Sequence, residues 1–168
     1  MIKVTAITHR LLDICLAAAA VLLVCTIVQY TKSSSPASLL KPGAKLDALS
    51  GTPSPQGMKH LIVAISATCH YCSEEAPFYR TLAQAATDRK DVAITFVLPQ
   101  APGESHRYLS QRGIAARDVR QLDLSSLGIP GTPTLILADS QWRIQQSWMG
   151  ALQPDQKRTV LAGIGGPQ

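Results

Sequence analysis

Residues 69–72 read Cys-His-Tyr-Cys and hold two of the four cysteines in the chain, the others being Cys15 and Cys25. Two thiols at this spacing can form half of a tetrahedral zinc site or a redox pair. Zinc needs further ligands, and the globular part of the sequence has no second cysteine pair, while His60 and His106 lack ligand spacing. That leaves sulfur chemistry. An apolar run precedes the motif and helical spacing follows it, so Cys69 is expected at a helix N-terminus, where free amides and the positive dipole end favour a thiolate. Lowering a thiol pKa from about 8.5 to about 7 raises the thiolate share at neutral pH from a few per cent to about half. Cys72, one turn further in, is expected to be less exposed and placed to close an intramolecular disulfide with Cys69. No cofactor beyond that redox-active disulfide is implied.

Three neighbours of the cysteines carry secondary expectations. A protonated His70 beside the Cys69 sulfur would favour the thiolate and make the disulfide a stronger oxidant. Tyr71 either shields the disulfide or packs on the surface. Glu75, three residues after Cys72, lies on a neighbouring helix face, where its carboxylate could exchange a proton with that sulfur. A solvated helix acid is the plainer reading, and Glu74 beside it favours that.

The elements that must position these groups follow from hydrophobic periodicity. Leu61–Ile65 is a continuous apolar run, as expected of a strand buried on both faces. Ser73–Thr87 shows three- and four-residue apolar spacing and is expected to be a helix kinked at Pro77. Val92–Leu98 is a second strand, Glu104–Gly113 a helix stopped by its glycine, and Val119–Leu122 a short extended piece. Thr134–Ala138 and Ile144–Trp148 flank a turn at Asp139–Trp142 and form an antiparallel pair, and Pro154–Ala162 supplies the last helix. The order β-α-β-α-β-β-α implies a mixed central sheet flanked by helices. Gly128–Thr134, with its two prolines, stands directly before the third long strand. Taken locally, Pro133 is an ordinary trans proline opening that strand, since about one X-Pro bond in twenty is cis.

Together these pieces resemble the thioredoxin superfamily over residues 60–163, through Ser66-Ala67-Thr68-Cys69-His70-Tyr71-Cys72 and Gly131-Thr132-Pro133-Thr134 about sixty residues later. Within it, Cys72-Ser73-Glu74-Glu75-Ala76-Pro77 resembles the Cys-x-x-Cys-x-x-Glu-x-Pro signature of the membrane-anchored TlpA/ResA-like branch. The resemblance implies a cis Pro133 packed against the disulfide, with the Thr132 backbone pairing with a substrate strand. It also implies extracytoplasmic thiol–disulfide exchange with protein partners and an envelope redox partner, often in cytochrome c maturation. Thr68 stands where many relatives have Trp, and His70-Tyr71 replaces a dipeptide ending in Pro. Thr-Cys-x-Tyr-Cys is similar to disulfide isomerases of the DsbC type, whose dimerisation domain has no counterpart here. The rival reading is a copper-handling module of the same fold, with Cys69, Cys72 and an imidazole as soft ligands.

Ahead of this domain, residues 14–31 carry no charge, and extending back to Leu11 gives about twenty apolar residues, enough to cross a bilayer. Residues 1–10 are expected to be a flank, 11–30 a membrane anchor, 31–59 a Pro/Ser/Gly-rich tether and 60–168 the thioredoxin-like domain. A cleaved signal segment and a buried helix are the alternatives for 11–30. The anchored reading places the chain in the cytoplasmic membrane as a single-pass protein, its C-terminal domain in the periplasm or its extracytoplasmic equivalent. Cys15 and Cys25 are ten apart, off a shared helical face, and read as apolar residues. With 46% hydrophobic and 16% charged residues the chain is not intrinsically disordered. Its net charge of +5 is dispersed, without basic runs or an aromatic stacking set, which argues against a nucleic-acid partner.

Overall fold

A computed structural model describes residues 40–51 and 54–165, together with Ala19 alone ahead of them. The expected anchor at 11–30 therefore lies, Ala19 apart, outside the described residues. Among the described residues no helix is long and apolar enough to cross a membrane.

Five strands form one mixed sheet: β1 (Lys59–Ala64), β2 (Val92–Leu98), β3 (Asp118–Gln121), β4 (Thr134–Ala138) and β5 (Ile144–Met149). Their spatial order is β3-β2-β1-β4-β5. β1 runs parallel to β2 and antiparallel to β4, so the most apolar strand sits at the centre. Among the described residues four α-helices accompany the sheet: α1 (His70–Glu74), α2 (Ala76–Ala85), α3 (Pro102–Gln111) and α4 (Pro154–Gly165). A 3₁₀ turn spans Leu124–Leu127. The helix expected over 73–87 is thus two helices. Pro77 has no N–H to give and sits in the first turn of α2, so the break falls at Glu75, which ends α1 and caps α2.

Strand alternation divides the core in two. Leu61 and Val63 of β1, with Leu135 and Leu137 of β4, face a cluster that takes in buried residues of all four helices, Cys72 among them. Ile62, Ala64, Ile136 and Ala138 face the other way, against Leu127, Ile129, Trp142 and Ile144. Leu40, Leu46 and Leu49 complete this second cluster. The tether expected over 31–59 is therefore wrong for its middle part. Leu40, Leu46 and Leu49 bury themselves on the sheet face that, among the described residues, no α-helix covers, at roughly 1.5–3 kcal/mol of favourable transfer each. Backbone bonds follow, Gly43 N to Ile144 O (2.7 Å), Ile144 N to Ala44 O (2.8 Å) and Leu46 N to Trp142 O (2.9 Å), which shield part of the β5 edge. Lys45 also pairs with Arg143 in a single antiparallel bridge.

The β4–β5 turn is closed by Asp139, whose Oδ1 accepts from Gln141 N and Arg143 N, each at 2.9 Å. Trp142 takes a positive φ of 61° there, a conformation that costs a residue with a Cβ. Its ring is buried and stacks on His60 at 3.9 Å, and that packing offsets the cost. His60 is itself buried, with Nε2 2.7 Å from Ser54 Oγ. Burial, and then the charge of Arg120, hold its pKa below the usual histidine range, against weaker upward pulls from Asp139 and Asp118. The folded protein thus prefers a neutral ring. As pH falls through about 6.5 the unfolded chain takes up a proton that the folded one resists, so stability is full above that pH and declines below it. We expect the wild-type melting temperature to fall between about pH 7.5 and 5, and a His60→Phe variant to show a flatter curve over that window. Parallel curves would remove His60 as the source.

Candidate active site

The loop leaving β1 is fixed before it reaches the cysteines. Gln100, just past the end of β2, donates from its amide to Ser66 Oγ (2.8 Å) and accepts from Ala67 N (3.2 Å). Cys69 N then bonds Ser66 O at 3.1 Å, closing the turn. Gln100 carries no motif, and its only trace in the sequence is a polar residue after a strand-ending proline.

Cys69 is the N-cap of α1, with extended backbone, and its sulfur accepts from Cys72 N at 3.2 Å. Cys69 and Cys72 form a disulfide, with Cα atoms 5.2 Å apart. Their environments differ as expected: Cys72 is fully buried in the helix-side cluster, whereas Cys69 is half-buried at its margin. The Thr132–Pro133 peptide is cis, and the Thr132 carbonyl oxygen lies 3.4 Å from Cys69 Sγ. Cys69, Cys72, Thr132 and Pro133 thus meet at one end of the sheet, as the resemblance implies. The local expectation of a trans Pro133 is corrected.

The flanking residues divide. His70 and Tyr71 are solvent-exposed, Tyr71 at 57%, so Tyr71 stands out from the surface instead of covering the disulfide. His70 Nε2 lies 3.1 Å from Glu74 Oε1, one turn on, and both side chains are more than half exposed. Glu75 is not a solvated acid. Its side chain is 10% exposed, and Lys157 of α4 holds both oxygens, at 2.8 Å to Oε2 and 3.0 Å to Oε1. The Lys157 ammonium also lies 5.5 Å from the centre of the Phe78 ring. Tyr79 lies buried in the same region without a hydrogen-bond partner for its hydroxyl among the described residues. Burial first, and then the Glu75 charge, push its phenol above the usual tyrosine range. Lys157 is a residue that sequence reasoning missed, because an ion pair across 82 positions leaves no local pattern.

Among the described residues no three His, Cys, Asp or Glu side chains are grouped to hold a metal ion. The imidazole nearest in sequence to the two cysteines, His70, is turned to Glu74.

This architecture is the thioredoxin-like fold. Solved structures sharing it include a thiol:disulfide interchange protein from Bacteroides sp., 22% identical, with a TM-score of 0.54 over 67% of this chain and 76% of that one. A thiol-disulfide isomerase from Corynebacterium glutamicum is 17% identical, with a TM-score of 0.55 over 67% and 84%. A secreted disulfide oxidoreductase from Mycobacterium tuberculosis is 14% identical, with a TM-score of 0.52 over 77% and 97%. These neighbours are consistent with a TlpA/ResA-like resemblance, and at such identities they carry the fold alone. No protein-family model and no curated protein matches the chain.

The Glu75–Lys157 pair yields a stability test. Removing one partner of a buried pair costs about 3–5 kcal/mol, and the one-third exposure of Lys157 reduces that. We expect Lys157→Met to cost about 1–3 kcal/mol in urea unfolding, and Glu75→Gln combined with it to recover most of the loss. Additive losses in the double variant would mean the two side chains are not coupled.

Proposed function

We propose that the chain is a thiol–disulfide oxidoreductase that exchanges disulfides with protein substrates through Cys69 and Cys72. One observation carries the reading: a half-exposed disulfide sulfur at a helix N-cap, in contact with the backbone beside a cis proline, with its partner sulfur buried behind it. Only Cys69 can meet a foreign disulfide. In the reducing direction its thiolate attacks one substrate sulfur, forming a mixed disulfide and releasing the other substrate sulfur as a thiolate. Cys72, deprotonated, then attacks Cys69 Sγ, closes the Cys69–Cys72 bond and expels the second substrate thiolate. Two electrons pass to the substrate, and two protons end on its thiols. The oxidising direction runs the same steps backwards.

The remaining roles follow from this reading. The Thr132 and Pro133 segment is the place where a substrate strand pairs. Glu75 supplies a fixed carboxylate near Cys72, while His70 and Tyr71 face the incoming protein. The domain works outside the cytoplasm, in the periplasm or its equivalent, tethered to the cytoplasmic membrane through residues 11–30 and exchanging electrons with an envelope redox partner. The thiol:disulfide interchange proteins among the structural neighbours support the chemistry, and the apolar N-terminal run supports the location. Cytochrome c maturation, named by the sequence resemblance, is the pathway proposed.

Cysteine trapping tests the chemistry. Cys72→Ser should accumulate mixed disulfides with client proteins because the resolving thiol is gone, whereas Cys69→Ser should trap none. Equal trapping by both would count against these roles. For the location, a reporter that is active only in the cytosol, fused after Gln168, should give no signal. Full signal would overturn the envelope assignment.

A further inference from the structure

α3 ends in a cation that the exchange chemistry above does not use. Arg112 caps the C-terminus of α3 and is half-buried. Its guanidinium carbon lies 3.8 Å from the centre of the Tyr108 ring, on which it rests. One N–H donates to Tyr108 O at 3.4 Å, and another donates to Ser73 Oγ at 2.8 Å. Arg80 of α2 donates to the Arg112 carbonyl at 3.3 Å, pinning the backbone as well. Ser73 follows Cys72 directly and is one turn from Cys69. Its N–H bonds Cys69 O at 3.3 Å and its hydroxyl points to the same oxygen at 3.4 Å, with Tyr108 Oη 3.5 Å away. The guanidinium is therefore two hydrogen bonds from the Cys69 carbonyl, in a fixed orientation.

Among the described residues its charge has no carboxylate within ion-pair distance. Among the described residues the ion pairs join Lys45 to Asp47, His70 to Glu74, Arg89 to Asp91, Arg120 to Asp118 and Lys157 to Glu75, and none includes Arg112. The titratable and charged groups on the elements around Cys69 are His70, Tyr71 and Glu74 of α1, Glu75, Tyr79 and Arg80 on α2 or its cap, Glu104, His106, Arg107, Tyr108 and Arg112 on α3 or its cap, and Asp155, Lys157 and Arg158 of α4. His70 faces Glu74 in solvent, and the Lys157 ammonium faces Glu75, so each of these groups stands beside an acid. A half-buried charge is screened far less by salt than an exposed one. We infer that Arg112 is a positioning residue of the exchange site, held by Tyr108 and Ser73 so that its unpaired positive charge favours the Cys69 thiolate. His70, the cation that sequence points to, is not the main source of that charge. The inference rests on the oxidoreductase reading.

The test uses the reduced full-length chain, with the alkylation rate of Cys69 read against pH by peptide-resolved mass spectrometry, which separates it from Cys15, Cys25 and Cys72. Arg112→Met should raise the alkylation midpoint by about half a pH unit or more, so that about threefold less thiolate is present below it. Arg112→Lys, which keeps the charge, should stay close to wild type. Arg112→Gln keeps an N–H donor toward Ser73 without the charge, and should follow Met; it also answers the question if the Met variant does not fold. In parallel, equilibrium with glutathione should move toward the disulfide in both neutral variants. An unmoved midpoint in a folded neutral variant overturns the inference, as does Lys behaving like Met. If the wild-type chain fails to exchange with a disulfide peptide, it is the oxidoreductase reading that has failed, and the alkylation midpoints still decide on Arg112.

Discussion

The antiparallel pairing of β1 with β4 is the constraint on which the site depends. Ala64, the last residue of β1, pairs with Thr134, the first of β4. The chain leaves one strand toward Cys69 at the same sheet end where Pro133 delivers it into the other. Two segments more than sixty residues apart are thereby held within contact, Cys69 Sγ against Thr132 O. The pairing is secured from both faces, since residues 61–64 of β1 are fully buried between the helix-side cluster and the leucine-lined one. A one-residue slip would exchange those faces and separate the cysteines from the proline loop. Register here is a matter of function as well as of stability.

Around this frame, polar groups are arranged by how much water they keep. The exposed His70–Glu74 pair is worth about 0–1 kcal/mol and yields to salt. The Glu75–Lys157 pair is drier, and the Tyr79 hydroxyl beside it has no hydrogen-bond partner among the described residues. Loss of a partner costs most where solvent cannot replace it. The inner layer therefore fixes α1 and α2 against α4, while the outer one is free to vary. Pro77 helps for a local reason: by breaking the helix at Glu75 it lets the carboxylate turn to α4 while Cys72 stays in the core.

What the sequence disclosed was what short-range rules govern. The apolar run at 61–65, the β4–β5 turn and the Cys-x-x-Cys at a strand-to-helix junction all obey them, and the structure places each where periodicity puts it. Pro77 announced a kink, although not that Glu75 would cap the second helix. Leu40, Leu46 and Leu49 were hidden among prolines, glycines and serines, because what buries them is a sheet face assembled from distant strands. Pro133 shows the same limit from the other side. Its own neighbours suggest a trans opener, and only the resemblance, which draws on the whole site, implied the cis bond found there. Gln100, Lys157 and Arg112 act across dozens of residues and have no signature in spacing.

The difference in exposure between the two sulfurs also limits how exchange can proceed. Cys72 is fully buried in the disulfide state, so no external thiol or disulfide reaches it without opening the helix-side cluster. Its attack on Cys69 needs no such opening, because the Cα atoms already stand at 5.2 Å, inside the range a disulfide spans. Cys72 belongs to the same buried cluster as Ala76, Tyr79 and Leu82, apolar surroundings that disfavour a charged sulfur. The hydrogen bond from Cys72 N to Cys69 Sγ works on the outer sulfur, where it favours a thiolate whenever that sulfur is free. In the proposed resolving step, Cys72 attack on Cys69 Sγ expels the substrate thiolate and leaves Cys69 bonded to Cys72. In the proposed chemistry both directions of electron flow pass through the same mixed disulfide, in which Cys69 carries the substrate and Cys72 is the free thiol.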